Sequence, residues 1–250
     1  MRFLIIRHAE PDYAHDSLTE KGFREAELLG RQLSGVDIAK IYVSPLGRAQ
    51  RTAEPTALSH NITPVTLDWL REFPASVNPP YEKYGIDGEK LSRCPWNMLP
   101  QYWTKNKNLY DPEKWREDPL YDGTAVGDVT AQIDAGWDAL TRENGYIRRG
   151  QLYDIEPGTD ESRTVALFCH LGLGLALISR ITGGALPFIW QTFYLPTSSV
   201  TTVYTEKYPP FERQCTMRII GVGDVSHLAR AGEPTSSSGL HSDIYTGRMF

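Results

Sequence analysis

Near its start the chain carries a continuous apolar run, Phe3-Leu4-Ile5-Ile6, the pattern of a strand buried on both faces. After a polar loop, Leu18-Thr19 opens a helix with Thr19 as N-cap. Phe23, Ala26, Leu29 or Gly30, and Leu33 then recur at helical spacing, and Ser34-Gly35 closes the pattern. Ile38 to Val43 predicts a second strand. Beside it, Ser44-Pro45 has the hydroxyl and the proline of a helix start; that helix runs through Arg48 and Thr52, and Pro55 ends or kinks it. Val65 to Trp69 predicts a third strand. Thr164 to Cys169 is again a buried-strand run, followed by Leu173, Ala176, Leu177 and Ile181 at helical spacing and by Gly183-Gly184 at the helix end. Val200 to Thr205 and Cys215 to Gly221 complete the strands.

Between Phe73 and about Thr130 the periodicity breaks down. Trp96, Trp103, Trp115, Tyr81, Tyr84, Tyr102, Tyr110 and Tyr121 stand there among many prolines. A structureless loop of that length is unusual in a compact domain, so residues 73–130 are expected to form an inserted cap of short helices. Its aromatics either line a substrate pocket or form the cap's own core. Ala125 to Leu140 is helical again, with Val126, Val129, Ile133 and Trp137 near one face. Strands alternating with helices predict an α/β fold in three layers: a mostly parallel open sheet with helices on both faces, in one domain over 1–250. The tail, about 226–250, is rich in Ser, Gly and small polar residues. If ordered it must be tied down, a neighbouring subunit in a homo-oligomer being one candidate.

Composition narrows the function. The 250 residues are 40% hydrophobic and 23% charged, with a formal net charge of −5. That balance excludes general nucleic-acid binding, which needs a basic stripe. Val165 to Ile178, the most apolar stretch, is too short to span a bilayer, and the N-terminal apolar run is too short for a signal peptide. Cys94, Cys169 and Cys215 are odd in number and form no C-x-x-C pair, as expected of reduced thiols in a cytoplasmic protein.

The chemistry collects just after the strands. Arg7-His8 follows the first, Ser44 to Arg48 the second, Glu72 the third and His170 the fourth. In an open α/β sheet, ligands bind beyond the carboxyl ends of the strands, so these residues can meet at one edge. Two arginines, two histidines and a carboxylate make an anion site with acid–base capability. His8 and His170 with Glu10 or Glu72 also supply plausible zinc ligands, but Arg7 and Arg48 would repel a cation and favour phosphate. No metal and no cofactor are therefore expected. Ser44 reads as a helix cap, and His15, His60, His227 and His241 carry no assignment.

Arg7-His8-Ala9-Glu10 resembles the Arg-His-Gly-Glu signature of the histidine phosphatase, or phosphoglycerate mutase-like, superfamily, branch 1. Leu18-Thr19-Glu20-Lys21-Gly22, the run Ser44-Pro45-Leu46-Gly47-Arg48-Ala49-Gln50-Arg51-Thr52-Ala53, Leu70-Arg71-Glu72 and Phe168-Cys169-His170 match the same family in order and spacing. The resemblance covers about Arg2 to Glu72 and Thr164 to His227. It implies that His8 attacks phosphorus while Arg7, Arg48 and His170 hold the phosphoryl oxygens. It also implies that Glu72 protonates the leaving oxygen, with Glu10 and Glu20 as competitors for that role. Ala9 stands for the usual glycine, Pro11 for Thr or Ser, and Ala14 for a phosphate-contacting asparagine. Leu171-Gly172 follows His170 where a mutase has Gly-Asn. No Asp follows His170, which argues against the acid phosphatase and phytase branch. The expectation is a metal-independent phosphatase acting on a phosphorylated small-molecule metabolite. A mutase and an inactive phosphate- or phosphoprotein-binding module are the alternatives.

Overall fold

The structure is a computed structural model and describes residues 1–78 and 94–240. Its elements in chain order are β1 (Arg2–Arg7), β2 (Pro11–Asp12), β3 (Ser17–Leu18), α1 (Glu20–Leu33), β4 (Ile38–Val43), α2 (Gly47–His60), β5 (Val65–Thr66), α3 (Pro100–Trp103) and α4 (Val126–Glu143). These are followed by β6 (Tyr146–Arg149), β7 (Leu152–Ile155), β8 (Thr164–Cys169), α5 (Leu171–Thr182), α6 (Leu186–Thr192), β9 (Val200–Tyr208), β10 (Phe211–Asp224) and α7 (Ser226–Ala231).

The fold is the expected α/β arrangement, built on a mixed sheet of order β5-β4-β8-β1-β9-β10-β7-β6. The half from β5 to β1 is parallel, and β9, β10, β7 and β6 extend it antiparallel. β1 is buried on both faces because its side chains alternate between two cores. Leu4 and Ile6 join Ile41, Phe168 and the α1 and α2 residues Leu29, Leu33, Ala49 and Ala53. Phe3 and Ile5 join Trp137 of α4, Leu173 and Leu177 of α5, and Trp190 of α6. Among the described residues no helix is long and apolar enough to cross a membrane.

Several local expectations need correction. Phe23 is 44% exposed, and the buried stripe of α1 runs instead through Gly22, Glu25, Ala26, Leu29, Gly30 and Leu33. Thr19 does cap α1, its side chain accepting from the Gly22 N–H. Helix α2 starts at Gly47 with Leu46 at the cap position, so Ser44 is not its cap. Pro55 lies inside α2 without ending it. Its ring fills the space beside Gly30, where an added Cβ would come within 2.8 Å. The third strand shrinks to Val65–Thr66, and Asp68–Leu70 turns as a 3-10 helix. The hairpin β6–β7 has no apolar alternation long enough to announce it, and periodicity does not predict it.

From residue 94 onward the insertion consists of α3 and three 3-10 turns before α4 begins. Met98, Leu109, Trp115, Leu120 and Tyr121 belong to the same apolar cluster as Trp137 and Trp190, so this stretch shares the main core. Tyr81, Tyr84 and His241 lie outside the described residues. The tail folds back as α7 against α1, with His227 and Leu228 buried. Its described part, to Leu240, is held by its own chain: the Tyr194 hydroxyl donates to the carbonyls of Ser236 and Ser238, at 3.2 and 2.9 Å.

Candidate active site

Parallel pairing decides which residues meet. Arg7 stands opposite Cys169 and Val43 opposite Phe168 at the carboxyl ends of β1, β8 and β4. The residues that follow, His8, His170 and Ser44, therefore emerge side by side. The rings of His8 and His170 lie 5.1 Å apart, and both are buried. Buried strands packed on two sides leave this edge little freedom, which is the rigid scaffold a reacting centre needs.

The His8 Nδ1 lies 2.7 Å from the carbonyl oxygen of Ala9. A carbonyl can only accept, so Nδ1 carries the proton and Nε2 keeps its lone pair. Burial, then the charges of Arg7 and Arg48, hold the His8 pKa well below its ordinary value, so the ring is neutral. His170 is held neutral in the same way, by burial first and then by His8 and the two arginines. Its Nε2 lies 2.8 Å from Ser44 Oγ, which also accepts the N–H of Leu46 at 3.2 Å. The serine hydroxyl can donate to Nε2, and in that tautomer the ring proton sits on Nδ1.

Arg7 donates to the carbonyls of Leu195 (2.6 Å) and Ser238 (2.9 Å), and its guanidinium lies over the Tyr194 ring. Arg48 is held at 2.8 Å by Asp16, whose other oxygen accepts the N–H of Gly47 at 2.7 Å. Thr52 Oγ accepts the Ala9 N–H and donates to the Arg48 carbonyl, joining the His8 loop to α2. Three buried nitrogens at the strand ends are left over. Among the described residues Arg7 Nε, Arg48 Nε and His170 Nδ1 have no hydrogen-bond partner. Buried donors are almost always paired, so a cluster of unpaired ones marks where an anion belongs.

Glu72 completes the group. One of its oxygens, Oε1, accepts the N–H groups of Phe73 (2.9 Å) and Leu173 (3.1 Å), the latter in the first turn of α5. Burial raises its pKa above the ordinary carboxylate value against the pull of those N–H groups and the two arginines. Both of these bonds go to Oε1, which leaves Oε2 as the oxygen that can carry a proton. The rivals are placed otherwise. Glu10 accepts from the Thr19 hydroxyl at 2.9 Å and pairs with Lys21 at 3.4 Å, and hydrogen bonds and that cation lower its pKa against the opposing effect of burial. Glu20 is exposed at the start of α1. Among the described residues no three His, Cys, Asp or Glu side chains are grouped to hold a metal ion.

Sequence reasoning missed the layer beneath. Ser44 is the partner of His170. Ser198, at φ +55°, donates its N–H to the His8 carbonyl, and its hydroxyl meets buried His227 at 2.9 Å. Burial lowers the His227 pKa to about 4. Glu25 is wholly buried and joins two loops, accepting the Glu10 N–H at 2.9 Å and the Thr197 hydroxyl at 3.1 Å. A carboxylate inside the apolar stripe of α1 was the available signal for Glu25.

Burial pushes the Glu25 pKa up to about 7 from 4.5. A raised carboxyl stabilises the fold fully below the unfolded value and loses that contribution as pH rises through the folded one. Glu25→Gln should therefore flatten stability between pH 4.5 and 7. Relative to their difference at pH 4.5, the variant should gain on the order of 3 kcal/mol on the parent chain by pH 8. Urea unfolding of both proteins at pH 4.5 and pH 8 measures this; an equal loss in both would separate Glu25 from the pH dependence.

Known proteins resemble this chain in sequence and in fold. Residues 3–78 match the family described as the histidine phosphatase superfamily (branch 1). A 2,3-bisphosphoglycerate-dependent phosphoglycerate mutase of Thermoplasma acidophilum is 40% identical over 80 residues, 28% of this chain and 40% of that protein. A probable phosphoglycerate mutase of Cronobacter sakazakii is 26% identical over 91% of this chain and 95% of its own length. Among solved structures, a phosphoserine phosphatase of Entamoeba histolytica in complex with 3-phosphoglyceric acid superposes with a TM-score of 0.58. It covers 91% of this chain and 98% of its own at 17% identity, which is likeness of fold.

Proposed function

This chain belongs to the histidine phosphatase superfamily, branch 1, and on that premise we propose that it hydrolyses a phosphorylated small molecule through a phosphohistidine on His8. The observation that carries the reading is the set of unpaired buried donors around a histidine whose Nε2 is free. Phosphoryl transfer spreads charge over three equatorial oxygens, and preorganised donors aimed at them supply most of the catalysis.

In the first half-reaction His8 Nε2 attacks phosphorus and the ester P–O bond breaks. Protonated Glu72 gives its proton to the leaving oxygen, and Nδ1–H stays bound to the Ala9 carbonyl. In the second, the Glu72 carboxylate takes a proton from water as that water attacks phosphorus. The N–P bond breaks, and inorganic phosphate leaves with Glu72 protonated again. Arg7, Arg48 and His170 Nδ1–H hold the phosphoryl oxygens throughout. Rapid quench with labelled substrate should trap an acid-labile, base-stable phosphoenzyme, mapped to His8. Stoichiometric label on another residue would overturn the reading.

The names of the two curated relatives favour a second reading, transfer of the phosphoryl group to a sugar acid instead of water. Both readings share the phosphohistidine. Turnover of phosphoglycerate that depends on a bisphosphorylated primer, without release of phosphate, would select the mutase.

Glu72 is tested through the leaving group. An alkoxide needs a proton badly and nitrophenolate hardly at all, so Glu72→Gln should separate alkyl from nitrophenyl phosphate by about 10²-fold in single-turnover kcat/KM. Because its pKa is raised, the acid form persists to higher pH than for an ordinary carboxyl. The parent enzyme should lose alkyl-ester activity as pH rises through that value, and the variant should show no such limb. Leaving-group dependence in Glu10→Gln instead would move the acid to the loop after His8.

A further inference from the structure

Beside the phosphate site lies a cleft of about 480 Å³ whose lining includes Trp96, Trp103, Leu171, Leu175, Tyr194 and Leu240. That volume suits a small organic ligand. Three contacts tie it to the reacting centre. Leu171 follows His170 directly and shares the first turn of α5 with Leu173, whose N–H holds Glu72. Trp96 lies against Gly172, where an added Cβ would come within 2.1 Å of the indole. Gly239, also in the lining, would bring a Cβ within 3.2 Å of the Arg7 guanidinium. The cleft therefore borders the segments that carry His170, the N–H held by Glu72, and the Arg7 guanidinium.

The lining holds no Lys, Arg, His, Asp or Glu among the described residues. Its polar side chains are largely spent within the protein. Trp190 Nε1 donates to the Gly172 carbonyl at 3.1 Å. The Gln191 amide donates to the Pro95 carbonyl and accepts the Met98 N–H. The Thr192 hydroxyl donates to the Phe188 carbonyl, and the Tyr194 hydroxyl to the tail carbonyls. Arg7, which borders the cleft at Gly239, is anchored by one N–H from each terminal nitrogen to the carbonyls of Leu195 and Ser238, and on the reading above its remaining N–H groups serve the phosphoryl oxygens. What remains is mainly aromatic and aliphatic surface, with the Asn97 side chain and the indole N–H groups of Trp96 and Trp103 as the other polar groups of the lining. Among the described lining residues a carboxylate or ammonium would meet no charged partner. A planar apolar ring would gain area burial and aromatic contact.

We infer that this cleft receives the leaving group of the ester, so that the substrates are phosphomonoesters of uncharged, ring-bearing alcohols rather than of amino or sugar acids. The inference rests on the phosphatase reading above and adds the substrate class.

The test compares alkyl esters of similar leaving-group basicity, so that chemistry cancels: 2-naphthylmethyl phosphate against phosphoserine and 3-phosphoglycerate. The naphthylmethyl ester should be preferred by on the order of 100-fold in kcat/KM, the scale on which a site rejects groups it cannot pair. Leu240→Arg, which brings a cation to the rim, should narrow that preference about 10-fold or more by raising turnover of the acidic esters and lowering that of the naphthyl one. With vanadate present, 2-naphthylmethanol should bind the parent enzyme and quench its tryptophan fluorescence. Equal or reversed preference in the parent enzyme, or no binding of the naphthyl alcohol, would overturn the assignment of the cleft. Failure of every ester to label His8 would overturn the phosphatase reading itself, whereas labelling by all three at equal rates removes only the substrate class.

Discussion

His8→Ala should lose the phosphoenzyme altogether and lower kcat/KM by about 10⁴-fold or more, the scale on which enzymes respond to removal of a nucleophile. The size of the effect follows from what would remain. The guanidinium groups of Arg7 and Arg48 would still bind the ester, so KM should change far less than kcat. Water would then have to reach phosphorus from the direction that His8 Nε2 occupied, with no group to hold it there. On the proposed mechanism Glu72 serves the leaving group, and its proton cannot serve both ends of one displacement. Residual turnover should therefore be single-step, without burst kinetics. An unlabelled variant that keeps more than about a tenth of the parent rate would contradict the covalent route, since a step that can be skipped at so small a cost is not the main path.

Arg48→Ala comes next, with an expected loss of about 30- to 1000-fold in kcat/KM, or about 2–4 kcal/mol of transition-state stabilisation. Two facts set this apart from an ordinary surface arginine, whose removal costs little. Its side chain is largely buried, and its orientation is fixed by Asp16, which also holds the Gly47 N–H at the start of α2. The loop bearing Asp16 can approach so closely only because residue 47 is glycine: an added Cβ would lie 2.1 Å from the Asp16 carbonyl oxygen. Arg48→Lys should recover little, because one ammonium cannot keep Asp16 and also present an N–H to the phosphoryl group. Asp16→Asn keeps an acceptor for Arg48 and should cost less than either change. A wild-type rate in Arg48→Ala would place Arg48 outside the chemistry.

Much of this was legible in the sequence, for identifiable reasons. Buried parallel strands announce themselves as mostly apolar runs, so β1, β8 and, despite Lys40, β4 are legible with their ends in nearly the right place, and the strand ends point to the candidate site. His8, Arg48, Glu72 and His170 could therefore be named before their contacts were known. What the sequence hid were pairings between distant segments. Nothing local distinguishes a serine that caps a helix from Ser44, which turns to His170 126 positions away. Arg7 looks like a free cation until the carbonyls of Leu195 and Ser238 are seen on either side of it. Phe23 fits the helical spacing yet is exposed, whereas Glu25 occupies the buried stripe despite its charge.

The bond from His8 Nδ1 to the Ala9 carbonyl separates two things that most active sites keep entangled. The group that aims the nucleophile belongs to the main chain of the next residue, so no side-chain substitution can delete it. With the leaving group in the aromatic cleft, selectivity for the organic half of the ester resides elsewhere: in side chains at the start of α5 and on segments that arrive from the insertion and the tail. Substitutions at Trp96, Trp103 or Leu240 can then accumulate and be exchanged without retuning the imidazole. If the proposed reading holds, a lineage built this way can change its phosphoester substrate by drift at a few side chains while its reactive centre stays as it was. The same division tells an engineer where a new substrate can be sought: in the cleft, with the loop from Arg7 to Glu10 left untouched.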